Sequence, residues 1–235
     1  HVSIGGITFF QVMYNKYDND FYITFMSVIQ YIRNDYEHVY LDCKDEEEVI
    51  VHTAMSLVYS EKHEQAKWVS HIITADIIDG KVKRSNNFRK DPLVKTESAS
   101  QKDYFLKYKD DKTGKYKYDG FGYDRGHLAP SADFRWSKKA VSESFFYSNM
   151  SPQRPKLNRG KWAKLEGLLR AYVIQNPNTQ LYVVTGPLLN DSLLVIEQSE
   201  NKMSVPKFFF KVAMDLKNER AIAFIMPNKK LNYPI

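Results

Sequence analysis

With 235 residues, 43% of them apolar and including 14 Phe, 16 Tyr and 3 Trp, the chain can build a sizeable core without staples and is not a disordered sequence. Its net charge of +6 is uneven, because residues 1–50 carry three basic and nine acidic side chains; the basic remainder suits a polyanionic partner. No apolar run approaches the ~20 residues a bilayer-spanning helix needs, so no membrane partner is expected, and the lone Cys43 excludes an intrachain disulfide.

Residues 1–44 read as an acidic N-terminal segment without an assigned role, in which Phe21, Phe25, Val28, Ile29 and Ile32 predict a short amphipathic helix over Asp20–Arg33. The acidic run Asp45–Glu48 suits the start of a helix. From Val49 the pattern changes. Met55–Tyr59 and Trp68–Thr74 read as strands, residues 80–103 as irregular chain, and Lys107–Gly122 as an exposed excursion rich in Lys and Tyr. Phe145–Met150 suits a strand that Pro152 and Pro155 stop. Trp162, Leu165, Leu168, Leu169, Tyr172 and Val173 recur at helical spacing, so Asn158–Val173 reads as one helix. Leu181–Thr185 reads as a buried strand, and Phe208–Asp215 with Arg220–Met226 as an antiparallel pair joined by Leu216–Glu219. The expected class is α+β, with a central antiparallel-leaning sheet flanked by helices.

The candidate chemistry centres on Asp124, Arg125, Gly126 and His127. Cleaving a phosphodiester needs a base for water, a cation for the developing charge and help for the leaving oxygen. A histidine serves as base near neutral pH, and an arginine fork holds phosphate. The tetrapeptide alone is weak evidence, because a histidine at a strand end is more often a structural residue. The downstream helix adds Asn158, Glu166 and Arg170. Eight residues on an ideal helix turn the side chain by about 80° and raise it by about 12 Å. Asn158 and Glu166 are therefore not side-by-side ligands. Asn158 can offer one amide oxygen to Mg²⁺, an ion that keeps most of its water. It is equally a helix N-cap by composition. Glu166 can hydrogen-bond water in the ion's shell and pair with Arg170 at i+4, which is otherwise an ordinary surface ion pair.

Three stretches resemble the DNA/RNA non-specific endonuclease family of its bacterial type: Gly122–Pro130, Tyr147–Gln153 and Leu157–Glu166. Their order matches that family, as do the spacings of 31 from His127 to Asn158 and 8 from Asn158 to Glu166. The likeness runs less sharply from about Val51 to about Lys230. It implies a ββα-metal nuclease core in a domain over residues 45–235, shorter at its C-terminus than the family domain usually is. His127 would end one strand, Asn149 would lie in the second, and Asn158 would sit on the helix. By the same resemblance His127 is the general base, Asn158 the Mg²⁺ ligand (Mn²⁺ being the alternative ion), and Glu166 a holder of water around the metal. Arg125 and Arg170 would contact phosphate, while Asp124 and Asn149 would orient the site. The implied reaction is Mg²⁺-dependent cleavage of DNA and RNA to 5′-phosphate ends. The competing readings are a phosphodiesterase on smaller nucleotides and a catalytically idle nucleic-acid-binding protein. The expected partners are the DNA and RNA backbone, with a homodimer and an inhibitor protein as further candidates. Because such an enzyme endangers its own genome, secretion or a bacterial periplasm is expected, with the mitochondrion as the alternative.

Overall fold

A computed structural model of the chain describes residues 48–232. The amphipathic stretch Asp20–Arg33, Cys43 and Asp45–Glu47 lie outside the described residues. Glu48 is exposed and leads straight into a strand, so the acidic run does not start a helix at that point.

Six strands form one fully antiparallel sheet in the order β1-β2-β3-β8-β9-β10. They are β1 (Val49–Val51), β2 (Met55–Ser60), β3 (Gln65–Ile73), β8 (Leu181–Pro187), β9 (Phe208–Asp215) and β10 (Arg220–Pro227). Period-two alternation sorts the side chains of β9. Phe209 and Ala213 join Leu57, Val69, Ile73 and Val183 in the main core, whereas Phe210, Val212 and Met214 pack with Val184 and Ala223 in a second cluster. The main core also takes in Trp162 and, from the helix α2 (Ala163–Gln175), the apolar stripe Leu165, Leu169 and Val173. The α+β class and the antiparallel sheet are as expected, and β9, β10 and their turn fall at or within a residue of the predicted bounds.

Two small strand pairs stand outside this sheet. The exposed excursion contains a hairpin of β4 (Phe105–Lys109) and β5 (Tyr116–Gly120). The second pair joins β6 (Asp124–His127) to β7 (Met150–Gln153), with His127 opposite Met150 and Gly126 opposite Ser151. Between β6 and β7 the chain forms a short helix α1 (Lys138–Glu143). The stretch Phe145–Met150 is not a strand: Tyr147–Asn149 is a 3-10 turn, and β7 begins only at Met150. Nor does Pro152 end it. β7 has a single partner strand, so a residue without an N–H fits on its free edge, and the Pro152 carbonyl accepts from Asn228 Nδ2 at 3.0 Å. Ser151 Oγ donates to Gln65 Oε1 at 2.6 Å, which fastens β7 to β3 of the main sheet.

The helix after β7 is not continuous from Asn158. Leu157–Trp162 is a wide, π-type turn with Gly160 at φ −110°, ψ −110°, and regular α-helix starts at Ala163. Glycine tolerates that backbone most readily, and wide turns of this kind recur at functional sites. The ideal-helix geometry between Asn158 and Glu166 therefore does not hold.

Candidate active site

β6 carries Asp124, Arg125 and His127 along its four residues, and the wide turn brings Asn158 against Asp124. Gly126 has to be glycine. A Cβ at that position would lie 2.2–2.5 Å from the side chain of Gln153, which is fully buried. Asp124 Oδ2 accepts from Asn158 Nδ2 at 2.9 Å, and Arg159 grips the same carboxylate with Nε at 2.8 Å and Nη2 at 2.6 Å. The amide nitrogen of Asn158 is thus fixed, and its oxygen, which accepts no side-chain hydrogen bond among the described residues, is left to face the other way.

His127 is 8% exposed, and its buried Nε2 has no hydrogen-bond partner. The ring stands edge-on to Phe145 at 4.9 Å and to Phe88 at 6.0 Å. Burial, followed by the Arg84 and Arg125 charges, holds its pKa down at about 3. The imidazole is therefore neutral throughout the physiological range. Arg125 lies 3.5 Å over the Phe88 ring, and its Nη1 donates to Tyr147 Oη at 3.3 Å. A cleft of about 530 Å³ opens beside Arg125, lined among others by Arg84, Phe88, Phe105, Asp124, Asn158 and Arg159; His127 lies two residues on along β6, behind this lining. Asn149 is fully buried away from it. It donates through Nδ2 to the carbonyls of Ala129 (2.9 Å) and Ser144 (2.8 Å), and its Oδ1 accepts from Ala129 N (2.9 Å). It lies in the turn before β7, not in the strand, and it ties down the chain just after His127.

Two expected placements change. Arg170 does not pair with Glu166. Its Nη1 donates to Asp133 Oδ1 at 2.8 Å, while His71 Nε2 meets Asp133 Oδ2 at 2.9 Å. Asp133 is 2% exposed, so this is a buried structural triad, and both partners help to hold the Asp133 carboxyl low despite its burial. Glu166 makes no hydrogen bond or ion pair among the described residues. Burial pushes its carboxyl up, while the Lys211 charge pulls it back.

Two residues escaped the sequence reading. Arg84 lines the cleft, stacks over Phe145 at 4.7 Å and acts electrostatically on both His127 and Glu166. It lies in irregular chain, where no periodicity marks it. Lys211 is 1% exposed, with Nζ donating to Thr185 Oγ1 at 2.6 Å and to the Leu128 carbonyl at 3.3 Å. Here a signal existed. A single lysine in the run Phe208–Met214, with bulky neighbours on both faces, has to lie inside.

The residues fit a hydrated divalent cation rather than a protein cage. Among the described residues no group of three or more His, Cys, Asp or Glu side chains could hold a metal. One oriented amide oxygen beside a carboxylate suits an ion that keeps its water.

A strand pair followed by a helical segment, with His on a strand end and Asn at the helix entry, is the ββα-metal arrangement. A family model for DNA/RNA non-specific endonucleases matches residues 34–235. Nuclease C1 of Cunninghamella echinulata var. echinulata is 30% identical over 188 residues, 74% of this chain and 69% of that protein. Human mitochondrial endonuclease G is 41% identical over 103 residues, but these are 40% of this chain and only 34% of that protein. A crystal structure of the EndoG/EndoGI complex matches with a TM-score of 0.60 and 28% identity, covering 79% of this chain and 76% of that one. The chain belongs to the DNA/RNA non-specific endonuclease family.

Proposed function

We propose that the protein is a divalent-metal-dependent endonuclease that hydrolyses the phosphodiester backbone of DNA and RNA and leaves 5′-phosphate ends. The observation that carries this reading is the lock on Asn158. Its amide nitrogen is held by Asp124, so its oxygen is available to a cation at the mouth of an arginine-lined cleft. Mg²⁺ is the proposed ion, with Mn²⁺ as a substitute, and Asn158 its protein ligand. When bound, the ion supplies Lewis acidity to the scissile phosphate and to the departing 3′-oxygen.

The other steps belong to the protein. Arg84 and Arg125 take the phosphate oxygens, which offsets the two smaller causes of the low His127 pKa, burial being the largest. The imidazole, neutral in the free protein, accepts a proton from the water attacking phosphorus. Asp124 orients Asn158, Glu166 hydrogen-bonds water beside the cation, and Asn149 fixes the backbone after His127. Arg170 acts through the packing of α2 rather than on phosphate, because its guanidinium is engaged by Asp133.

No helix among the described residues is long and apolar enough to cross a membrane. The named relatives include mitochondrial nucleases and a nuclease of the bacterium Nostoc sp.. We place this protein outside the cytoplasm that holds its own genome, by secretion or in a periplasm, with the mitochondrion as the alternative. A homodimer and a protein inhibitor are the proposed protein partners, the latter because the matching structure is an EndoG/EndoGI complex.

The test is digestion of closed-circular plasmid and of RNA with Mg²⁺, with chelator and with His127→Ala. Both substrates should be cut, and chelation or the substitution should abolish cutting. Plasmid left intact while a small nucleotide ester is hydrolysed would replace this reading with a nucleotide phosphodiesterase. Tight binding without any cleavage would replace it with an idle binding protein.

A further inference from the structure

The β4–β5 hairpin packs a pattern that the chemistry at the cleft does not use. From Leu106 to Lys109 and from Asp111 to Gly120 every residue is exposed, so the hairpin stands clear of the body. Its register pairs a lysine with a tyrosine three times in succession: Lys107 with Tyr118, Tyr108 with Lys117, and Lys109 with Tyr116. Residues two apart share a face, and so do residues directly opposite. One face therefore carries Phe105, Lys107, Lys109, Tyr116 and Tyr118, with no acidic residue among them. Lys107 Nζ already sits 4.2 Å over the Tyr116 ring. The other face carries Leu106, Tyr108, Lys117 and Asp119, and Lys117 is tied to Asp110.

The two faces also differ in where they lead. Phe105 and Gly120, the pair at the base of the hairpin, both line the cleft over Asp124 and Asn158, and the Arg125 guanidinium lies 5.0 Å over the Phe105 ring. The lysine-and-tyrosine face is thus a continuation of the cleft wall. Five residues of strand reach about 14 Å, the length of about four stacked nucleotides at ~3.4 Å each. Exposed aromatic rings interleaved with lysines that make no ion pair with a carboxylate among the described residues form the surface that binds single-stranded nucleic acid, with bases stacking on the rings and phosphates meeting the ammonium groups. A paired duplex keeps its bases in its own stack and can use only the lysines.

We propose that the Phe105–Gly120 hairpin is a single-strand-binding arm that holds the nucleic acid flanking the scissile phosphate, with Tyr116 and Tyr118 stacking on bases and Lys107 and Lys109 on the backbone. The proposal rests on the nuclease reading of the adjoining cleft, but its test does not need cleavage. Equilibrium binding of a labelled 12-nucleotide single strand is measured in chelator with the full chain and with Tyr116→Ala/Tyr118→Ala. A 12-base-pair duplex is measured alongside. Each lost stacking partner weakens binding at least about fivefold. The double variant is expected to bind the single strand at least about 25-fold more weakly, and the duplex within about twofold of the unsubstituted protein. Single-stranded RNA of the same sequence should lose as much as DNA, since neither contact involves the 2′-hydroxyl. Lys107→Ala/Lys109→Ala should weaken both forms and reduce the salt slope on the single strand by about 1.4. Unchanged single-strand affinity, an equal loss on the duplex, or a loss confined to one sugar would overturn the proposal. Hydrolysis of bis(p-nitrophenyl) phosphate with Mg²⁺ separates the two readings. A hairpin-dependent binder that hydrolyses neither this ester nor nucleic acid keeps the arm and refutes the nuclease. A nuclease whose single-strand affinity ignores the hairpin refutes the arm alone.

Discussion

Asp124→Asn isolates the lock on Asn158. The carboxylate accepts three hydrogen bonds, one from Asn158 and two from Arg159. The Arg159 side chain is 73% exposed, so solvent screens its pair and removing it changes stability little. The bond to Asn158 loses its charge assistance and is weakened by about 1 kcal/mol. For a domain of this size these terms lower Tm by only a few degrees. The effect on the cation is larger, because an unlocked amide can turn its nitrogen toward the ion. Loss of an orienting partner of a metal ligand typically costs about 10–100-fold in affinity. In plasmid cleavage titrated with Mg²⁺, the half-saturating concentration should rise about 10–100-fold, and saturating Mg²⁺ should restore much of the rate. Arg159→Ala is the control, expected to leave the Mg²⁺ requirement within about threefold. A folded Asp124→Asn protein with an unchanged Mg²⁺ requirement would refute the assignment of Asn158 as ligand.

Gly126→Ala forces a Cβ into the buried Gln153 side chain and should destabilise by about 1–3 kcal/mol in denaturant unfolding. Asp133→Ala strands a buried His71 and Arg170 together and should cost about 3–5 kcal/mol, far more than removing an exposed ion pair such as Lys102–Glu200. His127 gives a pH signature. Its folded pKa lies near 3, below the unfolded value of about 6.5, so between those limits the unfolded chain binds the extra proton. Its stabilisation is full above pH 6.5 and is lost as pH falls. From pH 7 to pH 5 this removes about 2 kcal/mol. Glu166 works in the opposite direction over that range, because its folded pKa is raised, so the comparison is with His127→Ala in metal-free buffer. The variant should lose about 2 kcal/mol less than the unsubstituted protein over that interval, and parallel pH profiles would contradict a buried, neutral His127.

How far the sequence speaks depends on whether a residue's surroundings are local. β9 and β10 are readable because their burial is set by strand alternation and the intervening turn is short. His127 and Asn158 are readable because their spacing is a property of the chain itself. The errors arise where a distant segment decides. Pro152 stops a strand only if both edges are paired, and nothing local says that β7 has one free edge. Gly160 delays the regular helix to Ala163, and the wide turn around it brings Asn158 back toward Asp124, 34 residues upstream. Spacing at i+4 offers Arg170 the carboxylate of Glu166, but a buried Asp133, also in need of a cation, lies within reach, and the fully desolvated partner takes the arginine. Freed from Arg170, the Glu166 carboxylate is left without a hydrogen bond among the described residues. The charges of Lys211, Arg170 and Arg84 all act on it, without a direct ion pair to any of them among the described residues. An unpaired, partly buried carboxylate that burial pushes toward protonation gains most from a hydrated divalent ion. The pairing that spacing predicts and the fold does not make thus leaves the Glu166 carboxylate free for the role proposed for it beside the metal.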